Sequence, residues 1–140
     1  MNNGKELSDL ALIEVASGIR KGTFSSEEVT RHCLTRINQA QPILNCFISI
    51  GEASAIKSAQ RADKELAAGD KLGVLHGVPL AHKDMFYKKG IRSTGGSKIQ
   101  KDFIPSYTST VINRLEAAGA ISLGGSVSYT HLTLPTTPYV

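Results

Sequence analysis

Tryptophan is absent and cysteine occurs only twice, so no disulfide framework and no cysteine cage for a metal holds this chain together. Cys33 shares a helical stripe with Val29 and Ile37 and reads as a small core residue, while Cys46 opens a strand-like stretch. Long apolar runs are also missing. None approaches the ~20 residues needed to span a bilayer. The polar opening Met1-Asn2-Asn3-Gly4-Lys5-Glu6 has no apolar signal-peptide core behind it, so a cytoplasmic protein is the expectation. Charge of one sign is in modest excess at +4, yet the lysines and arginines are scattered, with no arginine-rich run and no interleaved aromatics. That argues against a nucleic-acid surface.

What is present suffices for a core. With 41% hydrophobic residues in 140, the chain can bury one modest domain, and it lacks the composition of a disordered segment. Ser8-Asp9 predicts the cap of a short helix that Gly18 ends. Ser25-Ser26-Glu27-Glu28 is a capping box opening a helix that stops before Pro42. A strand is expected at 45–50. A long helix from about Glu52 to Ala68 follows, its apolar face made of Ala55, Ile56, Ala59, Ala62 and Leu66, with Gly69 closing it. Beyond Gly73 a Gly/Pro-shaped loop leads into a short apolar strand ending near Lys83. Thr108 or Ser109 can cap a last helix that ends at Ala118-Gly119, before a buried strand at 120–123. Helices alternating with short apolar strands argue an α/β domain with a sheet between helices.

Residues 126–140 have a different character: no charged side chain and no continuing period. Written back into DNA, residues 127–132 fit GTC TCT TAT ACA CAT CTG and 133–136 fit ACG CTG CCG ACG. That resembles one frame of a transposase adapter used in sequencing libraries, in which Val140 precedes a stop. The expectation is that 126–140 is a non-native tail on an N-terminal fragment spanning 1–125, and no function is assigned to Tyr129 or His131.

The stretch that carries chemistry is Gly77-Val78-Pro79-Leu80-Ala81-His82-Lys83-Asp84-Met85. A lysine inside an apolar strand is anomalous, because burying an ammonium is costly and such a lysine loses its proton or finds a partner. A neutral lysine is a usable general base. The same pattern also fits a lysine at a strand end that snorkels to water or pairs with a carboxylate. Asp84 points to the opposite face if the strand persists and need not neutralise Lys83. His82 reads as a core or supporting residue. His76, Lys88 and Lys89 read as a solvated surface, and His32 as a partly buried packing residue.

The lysine block, then Gly90-Ile91-Arg92-Ser93-Thr94-Gly95-Gly96-Ser97, then Ala117-Ala118-Gly119-Ala120 leading to Leu123-Gly124, resembles the amidase signature family over most of residues 5–125. The family includes bacterial amidases, fatty-acid amide hydrolases and the A subunit of glutamyl-tRNA(Gln) amidotransferase. The resemblance implies the N-terminal, incomplete part of an α/β/α fold around a mixed sheet. It implies Lys83 as the base of a Ser–cis-Ser–Lys triad that cleaves an amide through an acyl-enzyme, with no cofactor and no metal. The Gly/Ser-rich block that holds both triad serines in the family lies downstream and is absent here, so the fragment alone should be inactive. Ser97 and Gly96 sit in the loop near the site in relatives and are candidates for lining the substrate; Ser97 matches neither catalytic serine and also reads as a turn residue. His82 stands where many members carry an aliphatic residue.

The implied partner is a small-molecule amide, with no membrane and no direct nucleic acid unless the parent belongs to an amidotransferase complex. The variant Ala81-His82-Lys83-Asp84-Met85 leans toward a stand-alone amidase. A reading of another class is a small non-catalytic α/β binding module with a buried lysine, which would fold cooperatively by itself.

Overall fold

A computed structural model of the chain describes residues 6–126. Its elements are a 3-10 turn at Leu7–Asp9, α1 (Leu12–Arg20), α2 (Ser26–Leu44), β1 (Phe47–Ile50), α3 (Glu52–Ala68), β2 (Pro79–Lys83), α4 (Thr110–Ala117) and β3 (Ile121–Ser126). The expected non-native tail lies outside the described residues except for Ser126, which ends β3.

The first helix differs from expectation at both ends. Ser8 and Asp9 belong to the 3-10 turn, and Ala11 precedes α1, its N–H held by the Glu14 carboxylate at 2.7 Å. Gly18 lies inside the helix rather than ending it. A Cβ there would sit 2.1 Å from the Phe24 ring, so this glycine makes room for an aromatic to lie on the helix.

The α2 capping box forms as read: Glu28 N–H donates to Ser25 Oγ at 3.0 Å, and Ser25 N–H donates to the Glu28 carboxylate at 2.6 Å. Asp63, on α3, completes the cap by accepting from Ser26 N–H at 2.7 Å and Glu27 N–H at 3.0 Å. A carboxylate at this end also complements the helix dipole. The far end of α2 corrects the expectation, since the helix runs through Pro42 to Leu44. Two contacts hold this last turn. Asn45 adopts the left-handed conformation and donates its N–H to Gln41 O, and the Gln41 side chain brackets Phe47, donating to its carbonyl and accepting from its N–H. Asn45 is thus a helix cap, and β1 starts at Phe47.

The helix α3 spans the expected residues and ends on Gly69. Its alanines pack as predicted: Ala55, Ala59 and Ala62 are buried with Leu34 of α2 and Ile121 and Leu123 of β3. A second apolar cluster joins Val15, Ile19, Val29 and Val78. It ties α1 and α2 to the loop that enters β2. That loop is pinned at Gly77, whose carbonyl accepts from the buried Ser26 hydroxyl at 2.6 Å. Gly77 has φ +74, and a Cβ would lie 2.9 Å from Ser26, so glycine is required by both conformation and space.

The sheet order is β1-β3-β2. The last strand in sequence is therefore the central one, antiparallel to β1 and parallel to β2, which makes a mixed sheet between elements of helix.

Candidate functional site

Lys83 is the last residue of β2 and pairs in register with Ser126, the last residue of β3. β2 thus ends alongside the parallel strand β3, and in open α/β sheets ligands bind outside the carboxyl ends of parallel strands. Lys83 is half-buried, not enclosed in an apolar strand as expected, and Ala81 beside it is exposed. The reason is that β2 has β3 on one side and no second strand on its other side among the described residues. The Lys83 carbonyl accepts from Phe86 N–H at 3.0 Å, so the chain turns directly after the strand.

Asp84 is the residue that sequence reasoning passed over. It is only 3% exposed. One carboxylate oxygen, Oδ2, accepts from Thr94 N–H at 2.8 Å, Thr94 Oγ1 at 2.7 Å and Gly95 N–H at 3.1 Å. Its backbone N–H donates to Ser126 O at 3.0 Å, and its carbonyl accepts from the Ser93 hydroxyl. Hydrogen bonds from one loop therefore satisfy a buried carboxylate. The signal was present as an acid at a strand end and a Thr-Gly-Gly loop ten residues on, but nothing in the sequence says that the two meet.

Ser97 and Gly96 belong to the loop that Asp84 holds. Gly96 N–H donates to Thr94 Oγ1 at 3.1 Å, and Ser97 N–H to Thr94 O at 2.9 Å. The Ser97 hydroxyl accepts from Ile99 N–H at 3.2 Å, which is the turn role. The chain of bonds Asp84–Thr94–Ser97 thus connects the residue after Lys83 with the candidate lining residues.

A groove on this part of the molecule is lined by His82, Asp84, Phe86, Lys88, Arg92 and Ser122, among others, and by none of Lys83, Gly96 and Ser97. His82 is half-buried with Nδ1 3.3 Å from Ser122 Oγ. Burial, reinforced by the nearby Lys88 ammonium, holds its pKa below the ordinary histidine value and keeps the imidazole neutral. Lys88 is not a solvated lysine: it meets Glu116 at 2.6 Å and is half-buried. Lys89 is exposed as expected. His76 also departs from expectation, being buried with Nε2 2.8 Å from Ala62 O, so it ties the pre-strand loop to α3. Ser109 precedes α4 as anticipated, but its hydroxyl makes no cap bond.

The Amidase family profile matches residues 28–138. This chain belongs to the amidase family. Similar curated proteins include the A subunit of glutamyl-tRNA(Gln) amidotransferase from Hahella chejuensis, 47% identical over 111 residues that cover 79% of this chain and 23% of that protein. Its counterpart from Pseudomonas syringae pv. tomato is 47% identical over 118 residues, covering 84% and 24%. Among solved structures, fatty acid amide hydrolase superposes with a TM-score of 0.81 at 27% identity, covering 86% of this chain and 21% of that one. The peptide amidase from Stenotrophomonas maltophilia gives 0.78 at 28%, covering 85% and 25%. A bacterial aryl acylamidase of the amidase signature family gives 0.78 at 26%, covering 84% and 25%. The α/β architecture with a mixed sheet is therefore part of the amidase signature fold. The chain spans about a quarter of the length of the curated relatives it matches. Among the described residues, no helix is long and apolar enough to cross a membrane.

Proposed function

We propose that the protein carrying this amidase-family chain is an amide hydrolase, and that Lys83 is the terminal proton acceptor of a Ser–cis-Ser–Lys triad. The observation that carries this is the place of Lys83, at the carboxyl end of β2 where it pairs with the parallel strand β3. In this reading Lys83 accepts a proton from a bridging serine. That serine takes one from the nucleophilic serine as it attacks the amide carbonyl. An acyl-enzyme forms, ammonia or an amine departs, and water or an acceptor amine resolves it. Backbone N–H groups of a glycine-rich loop stabilise the oxyanion. In this reading both serines come from the part of the relatives' length that this chain does not span.

In the complete enzyme, Lys83→Ala is expected to lower kcat by about a thousandfold, within the range general-base removal produces. Lys83→Arg should not restore it, because a guanidinium does not give up its proton. Near-native kcat in Lys83→Ala overturns the assignment.

A second reading, the A subunit of an amidotransferase, is favoured by the identity of the curated relatives named above, which outweighs the lean of the lysine block toward a stand-alone amidase. In it the released ammonia passes to an aminoacyl-tRNA. Strong stimulation of glutaminase activity by partner proteins and tRNA would select this reading; full amidase activity without them would select the first.

A further inference from the structure

We infer that Asp84 is a positioning residue that couples Lys83 to the 93–97 loop, an inference that rests on the reading of Lys83 as the base. Five hydrogen bonds converge on this one residue. Its N–H reaches Ser126 O at 3.0 Å, its carbonyl takes the Ser93 hydroxyl, and Oδ2 takes Thr94 N–H, Thr94 Oγ1 and Gly95 N–H. The first of these extends the β2–β3 ladder one step past Lys83, so the lysine backbone is fixed on its C-terminal side as well as by its own register with Ser126. The other four bind the loop.

The loop has little else of its own to hold it there. Gly95 and Gly96 both take left-handed conformations, at φ +56 and +74, and Gly96 and Ile99 are exposed. Another backbone tie comes from farther along the chain, Ser93 N–H donating to Phe103 O at 3.0 Å. A carboxylate that collects three donors on one oxygen therefore sets where this turn stands relative to the end of β2. The other oxygen, Oδ1, lies on the side of the central strand, 3.3 Å from where a Cβ at Gly125 would stand. Lys83, on one side of this residue, and the Thr94–Ser97 turn, on the other, form one rigid unit.

Misplacing a reacting group by about 1 Å costs on the order of a hundredfold in rate. In the complete enzyme, with rates expressed per active site from the acyl-enzyme burst amplitude, Asp84→Ala keeps the backbone bonds of residue 84 but removes the three side-chain bonds that set the loop against Lys83, and is expected to lower kcat by about a hundredfold and raise KM by several-fold. Asp84→Asn keeps an acceptor oxygen but loses the charge that strengthens its three bonds, so it should recover only part of both, to about a tenth of the native kcat. Thr94→Val removes one of the three donors and should fall between Asn and native. A merely structural Asp84 would reduce burst amplitude and thermal stability while leaving per-site kcat and KM native, and that result overturns the inference. Should Asp84→Ala fail to fold, the same decision falls to Asp84→Asn and Thr94→Val: native per-site constants in both overturn it. Lys83→Ala, run alongside, separates the two ideas. If it is active, the base assignment has failed; if it is inactive while the Asp84 variants are native, only the coupling has failed.

Discussion

Asp84 and His82 flank Lys83, and each is held for a different physical reason. The carboxylate of Asp84 stays buried because three donors replace its water. Burial of His82, with the Lys88 ammonium close by, disfavours the imidazolium; Asp84 and Glu116 oppose this more weakly. The sign of the pH dependence follows. The unfolded chain takes up a proton at the ordinary histidine value of 6.5, while folded His82 does so only at lower pH. Between those two values the unfolded state binds more protons, so stability falls as pH drops below about 6.5. Urea unfolding of the complete protein across this range should show that slope, and His82→Gln should flatten it; an unchanged slope would remove His82 as its source. The Cys33 thiol offers a second check, since burial pushes its pKa up despite the opposing charge of Arg36. It should react with a disulfide reagent at pH 8 more slowly in the folded protein than in urea, and equal rates would contradict its burial.

At the scale of elements, the ends of helices decide where β2 is delivered. The N-terminus of α2 is closed by its own Ser25–Glu28 box and by Asp63 from α3, and the neighbouring Ser26 hydroxyl grips the loop at Gly77. Asp63→Ala leaves the Ser26 and Glu27 N–H groups without their acceptor and should cost about 2 kcal/mol. Gly77→Ala should cost at least as much through its positive φ and its contact with Ser26. Denaturant midpoints of the two variants check both; a loss below about 0.5 kcal/mol for Asp63→Ala would mean water replaces the carboxylate. These elements also show what the sequence discloses. The capping box, the Gly69 stop and the alanine face of α3 are local patterns with spacings of three or four, and they are legible. The Asp63 cap is 37 residues from its helix, and the Gln41 side chain brackets Phe47 beyond the turn that holds Pro42. Neither leaves a local trace, so the end of α2 is misjudged from sequence. Lys83 is legible as an anomaly and through its motif. Its half-burial is not, because an apolar run does not say how many strands flank it.

For the molecule as a whole, the apolar surface is unevenly covered. Ile99 is 96% exposed, Ile43 83% and Val74 73%, while β1 and β2 each have a strand on one side only among the described residues. Open edges and apolar side chains of this kind favour association. The chain expressed by itself is therefore expected to bind a hydrophobic dye and to unfold without a sharp transition; a monomer with one cooperative melt would instead support the self-sufficient module.

The order of the sheet also sets a clock. Its central strand is the last made of the three described strands, so neither β1 nor β2 finds its described partner until β3 has left the ribosome. Ser49 and Gly125, which meet across β1 and β3, are 76 residues apart. At about 5–20 residues per second, β1 waits roughly 4–15 s for its neighbour. Throughout that interval helices can form and pair, but the two strand ends that frame Lys83 do not yet exist as a pair. The paired end of β2 that carries Lys83 is the product of a late assembly step, set by the order in which the ribosome delivers the strands.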